Sequence, residues 1–162
     1  MGLIIRAPRT DDLAAVMQIE RAGFTPAEAA SETSMAERIA VIPDTFFVAE
    51  LDKVVAGFIV GPAIDRRYLT DDLFDHLTPN APADDYAAVL SIAVAPSHRN
   101  EGLGSALLTA FAHRAKEQGR KLVSLTCLDR LMPYYEKNGY VNEGVAESTH
   151  AGEVWFNMTK II

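Results

Sequence analysis

The segment HRNEGLGSAL, from His98 to Leu107, places one arginine and two closely spaced glycines where an apolar run gives way to a helical pattern. Backbone N–H groups at the start of a helix, together with the helix dipole, bind anions. Glycines let the backbone approach a ligand closely, and an arginine adds a fixed cation. The pattern Arg99-x-x-Gly102-x-Gly104 therefore predicts an anion site of the kind that holds phosphate groups.

Two other glycine-rich phosphate motifs do not fit this segment. A Walker phosphate loop requires a lysine directly after its last glycine, and no lysine follows Gly104. A dinucleotide fingerprint requires a third small residue where Leu107 stands, and it normally opens the first strand–helix unit of a chain. Both alternatives are excluded.

The elements that must position this turn follow from hydrophobic periodicity and from turn residues. A long loop is predicted at residues 62–85, and a nearly continuous apolar run at 86–94 predicts a central strand covered on both faces. Helices are predicted at 11–22, 27–41, 102–119 and 129–139, and further strands at 3–8, 45–51, 54–61, 121–127, 141–148 and 153–162. This order predicts an α+β domain with a mixed sheet and helices on both of its faces.

Length and composition favour a single soluble domain over residues 1–162. A net charge of -7 provides no basic surface for nucleic acid, and no apolar run is long enough to predict a membrane span. The single cysteine, Cys127, excludes an intramolecular disulfide and a multi-cysteine zinc site. We therefore expect a cytoplasmic protein without a metal.

Two segments resemble signatures of the GCN5-related N-acetyltransferases (GNAT): VAPSHRNEGLGSALL and, later in the chain, PYYEKNGY. The resemblance implies an α/β/α fold, in which about four helices flank a mixed, mostly antiparallel sheet of about seven strands. It also implies acetyl-CoA as co-substrate, with the acetyl-pantetheine arm along Ile92, Ala93 and Val94. The residues implied to hold the pyrophosphate are Arg99, Asn100, Glu101, Gly102, Leu103, Gly104 and Ser105.

Within that superfamily the chain is most similar to the arylalkylamine acetyltransferases, on the segments IERAGF, AIDRRYLTDDLF and CLDRLMPYYEKNGY. One departure is clear, because Ala88 and Leu90 stand where vertebrate members carry paired histidines on the central strand. Non-vertebrate relatives instead show a motif similar to PAEAAS, whose glutamate corresponds to Glu28 here. The resemblance therefore leaves the acceptor open.

The chemistry of such a transfer requires a neutral amine and a proton for the departing thiolate. An alkylamine is neutral in only about one molecule in 2,500 at pH 7, so a base is needed. We expect Glu28 to be that base, with Glu32 one helical turn later on the same face as a second candidate; a water chain is the third. Tyr135 matches the family's acid tyrosine beside the thiol, whereas Tyr134 is expected to pack.

The remaining candidate residues receive plainer expectations. Cys127 is expected in the core, and no role is assigned to His76, His98, His113 or His150.

The acceptor is predicted to be a small primary amine, with an aryl or alkyl tail or a polyamine, because acidic segments attract cations. That reasoning favours such amines over carboxylate-bearing amino acids. The residues expected to form its apolar wall are Phe24, Tyr68, Leu69, Leu73 and Phe74.

Two alternatives stay open at this stage. The long acidic loop is also compatible with a protein N-terminus or a lysine as the acceptor. A regulatory domain that binds CoA without turnover is the alternative from a different class. The sequence is compatible with a monomer or a homodimer.

Overall fold

The computed structural model describes residues 2–162, which form nine strands and four α-helices. The helices are α1 (Leu13–Gly23), α2 (Glu32–Val41), α3 (Leu103–Glu117) and α4 (Met132–Lys137). The strands are β1 (Leu3–Arg6), β2 (Phe46–Leu51), β3 (Val54–Val60), β4 (Ala63–Ile64), β5 (Tyr86–Ala88), β6 (Ser91–Val94), β7 (Leu122–Cys127), β8 (Val141–Val145) and β9 (Phe156–Ile161).

The strands form two half-sheets, ordered β1-β2-β3-β6 and β4-β5-β7-β9-β8. Every pairing is antiparallel except that of β5 with β7. Two-residue interruptions separate β3 from β4 and β5 from β6, so the nine strands correspond to seven continuous runs of chain. The predicted mixed, mostly antiparallel sheet is confirmed.

Side-chain alternation along the strands builds one hydrophobic core on each face of the sheet. Phe46 and Val48 in β2 pack in a buried cluster with residues of α1 and α2. Phe47 and Ala49, the alternate positions, pack in a second cluster with residues of α3. The sheet therefore lies between two helical layers, as the α/β/α expectation requires.

The interruption between β5 and β6 opens the sheet. The Val89 N–H donates to the carbonyl of Ser124 in β7 at 2.9 Å, whereas the Leu90 N–H donates to Val60 in β3 at 2.8 Å. Beyond this point β6 pairs with β3, and β7 pairs with β5 and β9. The N–H groups of the neighbouring residues Val89 and Leu90 thus bond to strands on opposite sides. As a result, β6 and β7 diverge and leave a cleft between the half-sheets.

The predicted elements differ most from the structure at the second helix and in the loop at 62–85. The second helix begins at Glu32 rather than at residue 27, because Ser31 is its N-cap and accepts from the Ser34 N–H at 3.1 Å. The predicted loop at 62–85 contains the short strand β4 and a single 3-10 turn at Asp71–Phe74. None of the helices described in residues 2–162 combines the length and hydrophobicity of a membrane-spanning segment.

Candidate active site

The turn into α3 presents a row of backbone donors. Asn100 and Gly102 have left-handed conformations, with φ of 65° and 84°, and they direct the chain from β6 into the helix. The first intrahelical bond of α3 runs from the Ala106 N–H to the Gly102 carbonyl at 3.1 Å. The preceding N–H groups, those of Leu103, Gly104 and Ser105, therefore have no intrahelical acceptor and form the positive end of the helix.

The two glycines of this turn have different surroundings. A Cβ at Gly102 would meet no atom within 4 Å, so the backbone there faces open space. A Cβ at Gly104 would collide with the hydroxyl oxygen of Tyr134. Tyr134 packs edge-on against Tyr135, as expected, and its 37% exposed side chain also lies over the turn.

Arg99 is fixed beside the turn by backbone carbonyls. Its Nε donates to Val94 at 3.3 Å and its Nη2 donates to Ala22, near the end of α1, at 3.4 Å. The side chain is exposed, and it lines the same groove as the turn. This cation therefore stands at the mouth of the predicted anion site.

A groove of about 600 Å³ runs along β6 and the α3 turn. It fits the group that the sequence predicted, because an open cradle at Gly102, helix N–H groups and cations meet in it. Of the residues predicted for acetyl-CoA, those lining the groove are Ile92, Ala93, Val94, Arg99, Asn100, Gly102, Leu103, Gly104, Ser105 and Tyr135. Glu101 does not line the groove, and its carboxylate lies 3.4 Å from the ring of His98. Lys137 also lines it and was not predicted.

A second cavity of about 110 Å³ adjoins this groove between the diverging strands. The two spaces share four lining residues: Phe24, Ile92, Leu131 and Tyr135. We call the larger space the donor groove and the smaller one the acceptor cavity, after the two molecules that the sequence analysis predicts to bind. The other residues of the acceptor cavity are Glu20, Glu28, Ala30, Arg38, Phe74, Val89, Leu90, Ser91, Leu125, Thr126, Cys127, Ser148, His150 and Trp155.

Tyr135 lies at the junction of the two spaces and is 7% exposed. Its ring is held edge-on between Tyr134 and Tyr140, with centroid separations of 5.3 and 5.9 Å. Burial raises the pKa of its phenol above the ordinary value near 10. The phenol is therefore protonated at neutral pH and can donate a proton.

Glu28 also lines the acceptor cavity, from a turn that precedes α2. The Thr25 N–H donates to its carboxylate at 2.9 Å, and its own N–H donates to the Thr25 hydroxyl at 3.3 Å, as in a capping box. A hydrogen bond shared with Glu153 lowers the pKa of Glu28 and raises that of Glu153. Glu28 is therefore an ionised carboxylate at neutral pH.

Two expectations about the acceptor side are wrong. Glu32 does not share a helical face with Glu28, because it begins α2, is exposed and does not line the cavity. Of the predicted apolar wall only Phe24 and Phe74 line the cavity. Tyr68 and Leu69 line a separate space of about 570 Å³, and Leu73 packs in the core. The aspartates of this loop do not line the cavity either.

His150, to which no role was assigned, belongs to an aromatic wall of the acceptor cavity. Its ring stacks on Phe74 at 5.5 Å, and Trp155 donates to its carbonyl at 2.9 Å. Its Nε2 donates to the Glu28 carbonyl at 3.1 Å. These contacts join the hairpin of β8 and β9 to the turn that carries Glu28.

Two buried charges in the cavity were missed, Glu20 and Arg38, which are 3% and 1% exposed. A signal for both was present, because each stands at helical spacing with buried apolar residues. Arg38 follows Met35 by three positions and precedes Ile42 by four, and Glu20 follows Met17 by three. A charge on the apolar stripe of a helix is the pattern that would have identified them.

Cys127 is 2% exposed, as expected for a core residue, and it also lines the acceptor cavity. Burial raises its pKa to about 11, with smaller contributions from Asp129 and Glu136. The thiol is therefore protonated at neutral pH and is a weak nucleophile. Within residues 2–162 no group of three acidic, histidine or cysteine side chains is arranged to hold a metal ion.

Comparison with known proteins gives one family. A family model described as Acetyltransferase (GNAT) family matches residues 13–140. Serotonin N-acetyltransferase from Mesocricetus auratus is 35% identical over 88 residues, which are 53% of this chain and 41% of that protein. The match thus spans less than half the length of that relative.

Solved structures are similar over nearly the whole chain. Ard1 from Thermoplasma volcanium has a TM-score of 0.79 at 23% identity and covers 100% of this chain and 99% of its own. The structure of yncA from Salmonella typhimurium with its cofactor acetyl-CoA has a TM-score of 0.69 at 15% identity, and the match covers 99% of this chain and 94% of that one. At these identities the likeness shows the shared fold.

Proposed function

This chain belongs to the acetyltransferase (GNAT) family, and on that premise we propose that it moves the acetyl group of acetyl-CoA to a small primary amine. The observation that supports the proposal is the meeting of the donor groove and the acceptor cavity at Tyr135 and Ile92. A donor and an acceptor held on either side of this junction would have their reacting atoms adjacent. Direct attack without an acyl-enzyme then requires no protein nucleophile.

In the donor groove, the N–H groups of the α3 turn and the Arg99 guanidinium would hold the pyrophosphate. The edge of β6 that faces away from β3 offers backbone groups to the amides of the pantetheine arm. Acetyl-CoA supplies the thioester, whose carbonyl the amine attacks. The chain's own contribution is to bind the two molecules and to orient them.

On the acceptor side, the ionised Glu28 carboxylate would attract the ammonium form of the amine. The amine must lose a proton before it attacks, and Glu28 accepts it directly or through water. Because its pKa is lowered, Glu28 is a weak base, and its larger effect is to concentrate the cation beside the junction.

The leaving thiolate requires a proton, and the Tyr135 phenol would supply it. A raised pKa keeps the phenol protonated over the whole neutral range, so the acid is available in every enzyme molecule. A free thiol has a pKa near 8.5, below the value near 10 of an ordinary phenol and further below the raised pKa of the Tyr135 phenol. Because the phenol is a weaker acid than the thiol, it would not protonate the thioester sulfur in advance. It would transfer its proton as the thiolate forms.

The aryl- or alkylamine class is supported by the aromatic wall of Phe24, Phe74, His150 and Trp155. Aromatic faces hold apolar tails and also attract cationic heads. The cavity of about 110 Å³ is smaller than the cavity of about 150 Å³ that holds benzene, so a small acceptor would fill it and extend toward the adjoining donor groove. The 35% identity with a serotonin N-acetyltransferase over half of the chain supports the same class.

The test is thiol release from acetyl-CoA in the presence of a panel of aryl- and alkylamines, with mass spectrometry of the acetylated products. We expect turnover with at least one small amine. Binding of acetyl-CoA without any turnover would favour a regulatory CoA-binding domain. Acetylation of peptides or proteins alone would favour the other alternative from the sequence.

A further inference from the structure

Arg38 is the least satisfied buried charge in the acceptor cavity. The residue is 1% exposed, and its Nη1 is buried without a hydrogen-bond partner among residues 2–162. The only hydrogen bond of its guanidinium in the described chain runs from Nη2 to the Phe74 carbonyl at 3.3 Å. A guanidinium has five N–H donors, so most of its capacity is unused.

The two carboxylates whose charges act on Arg38 already have other partners. Glu20 accepts from the Ser91 hydroxyl at 2.5 Å and from the Ala30 N–H at 2.8 Å. Glu37 accepts from the Leu77 N–H at 2.8 Å and lies 3.1 Å from the His76 ring. Burial lowers the pKa of Arg38, and these two carboxylates only partly offset that effect. Arg38 is thus a buried cation that lacks a paired anion.

Arg120 shows how this chain satisfies an arginine whose role is structural. Its side chain is also buried, at 5% exposure, but its Nη1 donates to the carbonyls of Ala81 and Asp84 at 2.7 and 2.6 Å. Its Nη2 donates to Gln118 at 3.3 Å, so that Nε is its one nitrogen without a partner among residues 2–162. A buried guanidinium without such partners is unfavourable for stability, so its position on the wall of a ligand-sized cavity requires another explanation.

We propose that Arg38 binds a carboxylate of the acceptor, so that the acceptor is an amine that also carries a carboxylate group. The cavity then matches a zwitterion, because Glu28 faces the ammonium end and Arg38 receives the carboxylate. The sequence analysis expected the acidic protein to favour amines without a carboxylate over amino acids. The proposal reverses that expectation. The proposal rests on acetyl transfer to a small amine as the proposed function.

The test compares matched acceptors, phenylalanine with phenethylamine and 4-aminobutanoate with butylamine, by kcat/KM. We expect the native protein to prefer the carboxylate member of at least one pair. Arg38→Met should lower kcat/KM for that member about 10- to 100-fold and change the carboxylate-free member little. Arg120→Lys, the matched control at a buried arginine that does not line the acceptor cavity, should keep the preference. Arg38→Lys should lose part of it, because an ammonium cannot make a forked contact.

An equilibrium measurement makes the result independent of turnover. Phenylacetate should raise the Tm of the native protein and not that of Arg38→Met or Arg38→Gln. Absence of acetylation with every amine would contradict the proposed function, and the Tm measurement would still test the carboxylate site. Equal preferences in the native protein and Arg38→Met, together with equal Tm shifts, would overturn the inference.

The acyl donor is the other source from which a carboxylate could reach Arg38. Malonyl-CoA and succinyl-CoA, compared with acetyl-CoA using a carboxylate-free amine, separate this source from the amine. A preference for the carboxylated acyl donors that Arg38→Met removes, with none among the amines, would overturn the assignment to the acceptor. Unstable folding of Arg38→Met, with an unchanged preference in Arg38→Lys, would also overturn it, because Arg38 would then be structural.

Discussion

Substitution of Gly102 by glutamate should remove acetyl-CoA binding without removing the fold. Gly102 has a φ of 84°, and a side chain there would enter open space. The left-handed conformation makes any L side chain unfavourable by about 1–2 kcal/mol. A carboxylate about 5 Å from a phosphate, at an effective dielectric constant of about 20, is repelled by about 3 kcal/mol, which is roughly 200-fold in Kd.

Gly119 provides a matched control at the other end of α3. Its φ is 80°, and a Cβ there would also meet no atom within 4 Å. Gly119→Glu therefore carries the same backbone strain, and its negative charge at a helix C-terminus adds a further unfavourable contribution. Because Gly119 does not line the donor groove, its substitution should destabilise the protein at least as much and leave binding intact.

The assay is the shift in Tm produced by acetyl-CoA. A ligand at 100 times Kd stabilises a protein by about 2.7 kcal/mol, or about 5–11 °C for a chain of this length. The native protein and Gly119→Glu should both show that shift. At the same concentration a 200-fold weaker site gives less than about 1 °C. A shift in Gly102→Glu equal to that of Gly119→Glu would refute the assignment of the α3 turn.

Three further predictions concern single side chains. Tyr135→Phe should lower kcat about 10- to 1,000-fold and leave acetyl-CoA affinity unchanged in calorimetry; an unaltered kcat would make water the acid. Glu28→Gln should lower kcat/KM for the amine more than Glu32→Gln does, since of these two residues only Glu28 lines the cavity. Because the pKa of Glu28 is lowered, the pH–rate profile of the native protein should show protonation of this carboxylate only below about pH 4.5. The bidentate bond to Arg67 lowers the pKa of Glu143 to about 2, so this pair should stabilise the fold above the unfolded pKa near 4.5 and progressively less toward pH 2. Melting curves should therefore show a smaller loss of Tm between pH 5 and 3 in Glu143→Gln than in the native protein.

The donor side could be predicted from sequence because it is local. The cation, the two glycines and the free N–H groups all lie within Arg99–Ser105, and β6 precedes them directly. Short-range geometry alone brings these groups to one end of a helix. Glu101 is the exception, since the side-chain direction at a single turn position depends on its contact with His98.

The acceptor side could be predicted only in part because it is assembled from distant segments. The alanine-rich stretch before α2 has helical propensity, yet the contact of Thr25 with Glu28 closes a separate turn and Ser31 begins the helix. His150 reaches the cavity only because the β8–β9 hairpin folds over Phe74. Such contacts are tertiary, and no local pattern specifies them.

The junction at Tyr135 separates two parts of the molecule that can change at different rates in evolution. Among residues 2–162 only four line both spaces: Phe24, Ile92, Leu131 and Tyr135. Substitutions at the aromatic wall or at Arg38 would remodel the acceptor cavity and leave every backbone donor of the α3 turn in its place. A descendant of this chain could therefore acquire a new acceptor through a few changes in α2 and the hairpin, while it keeps the groove in which we propose that acetyl-CoA binds.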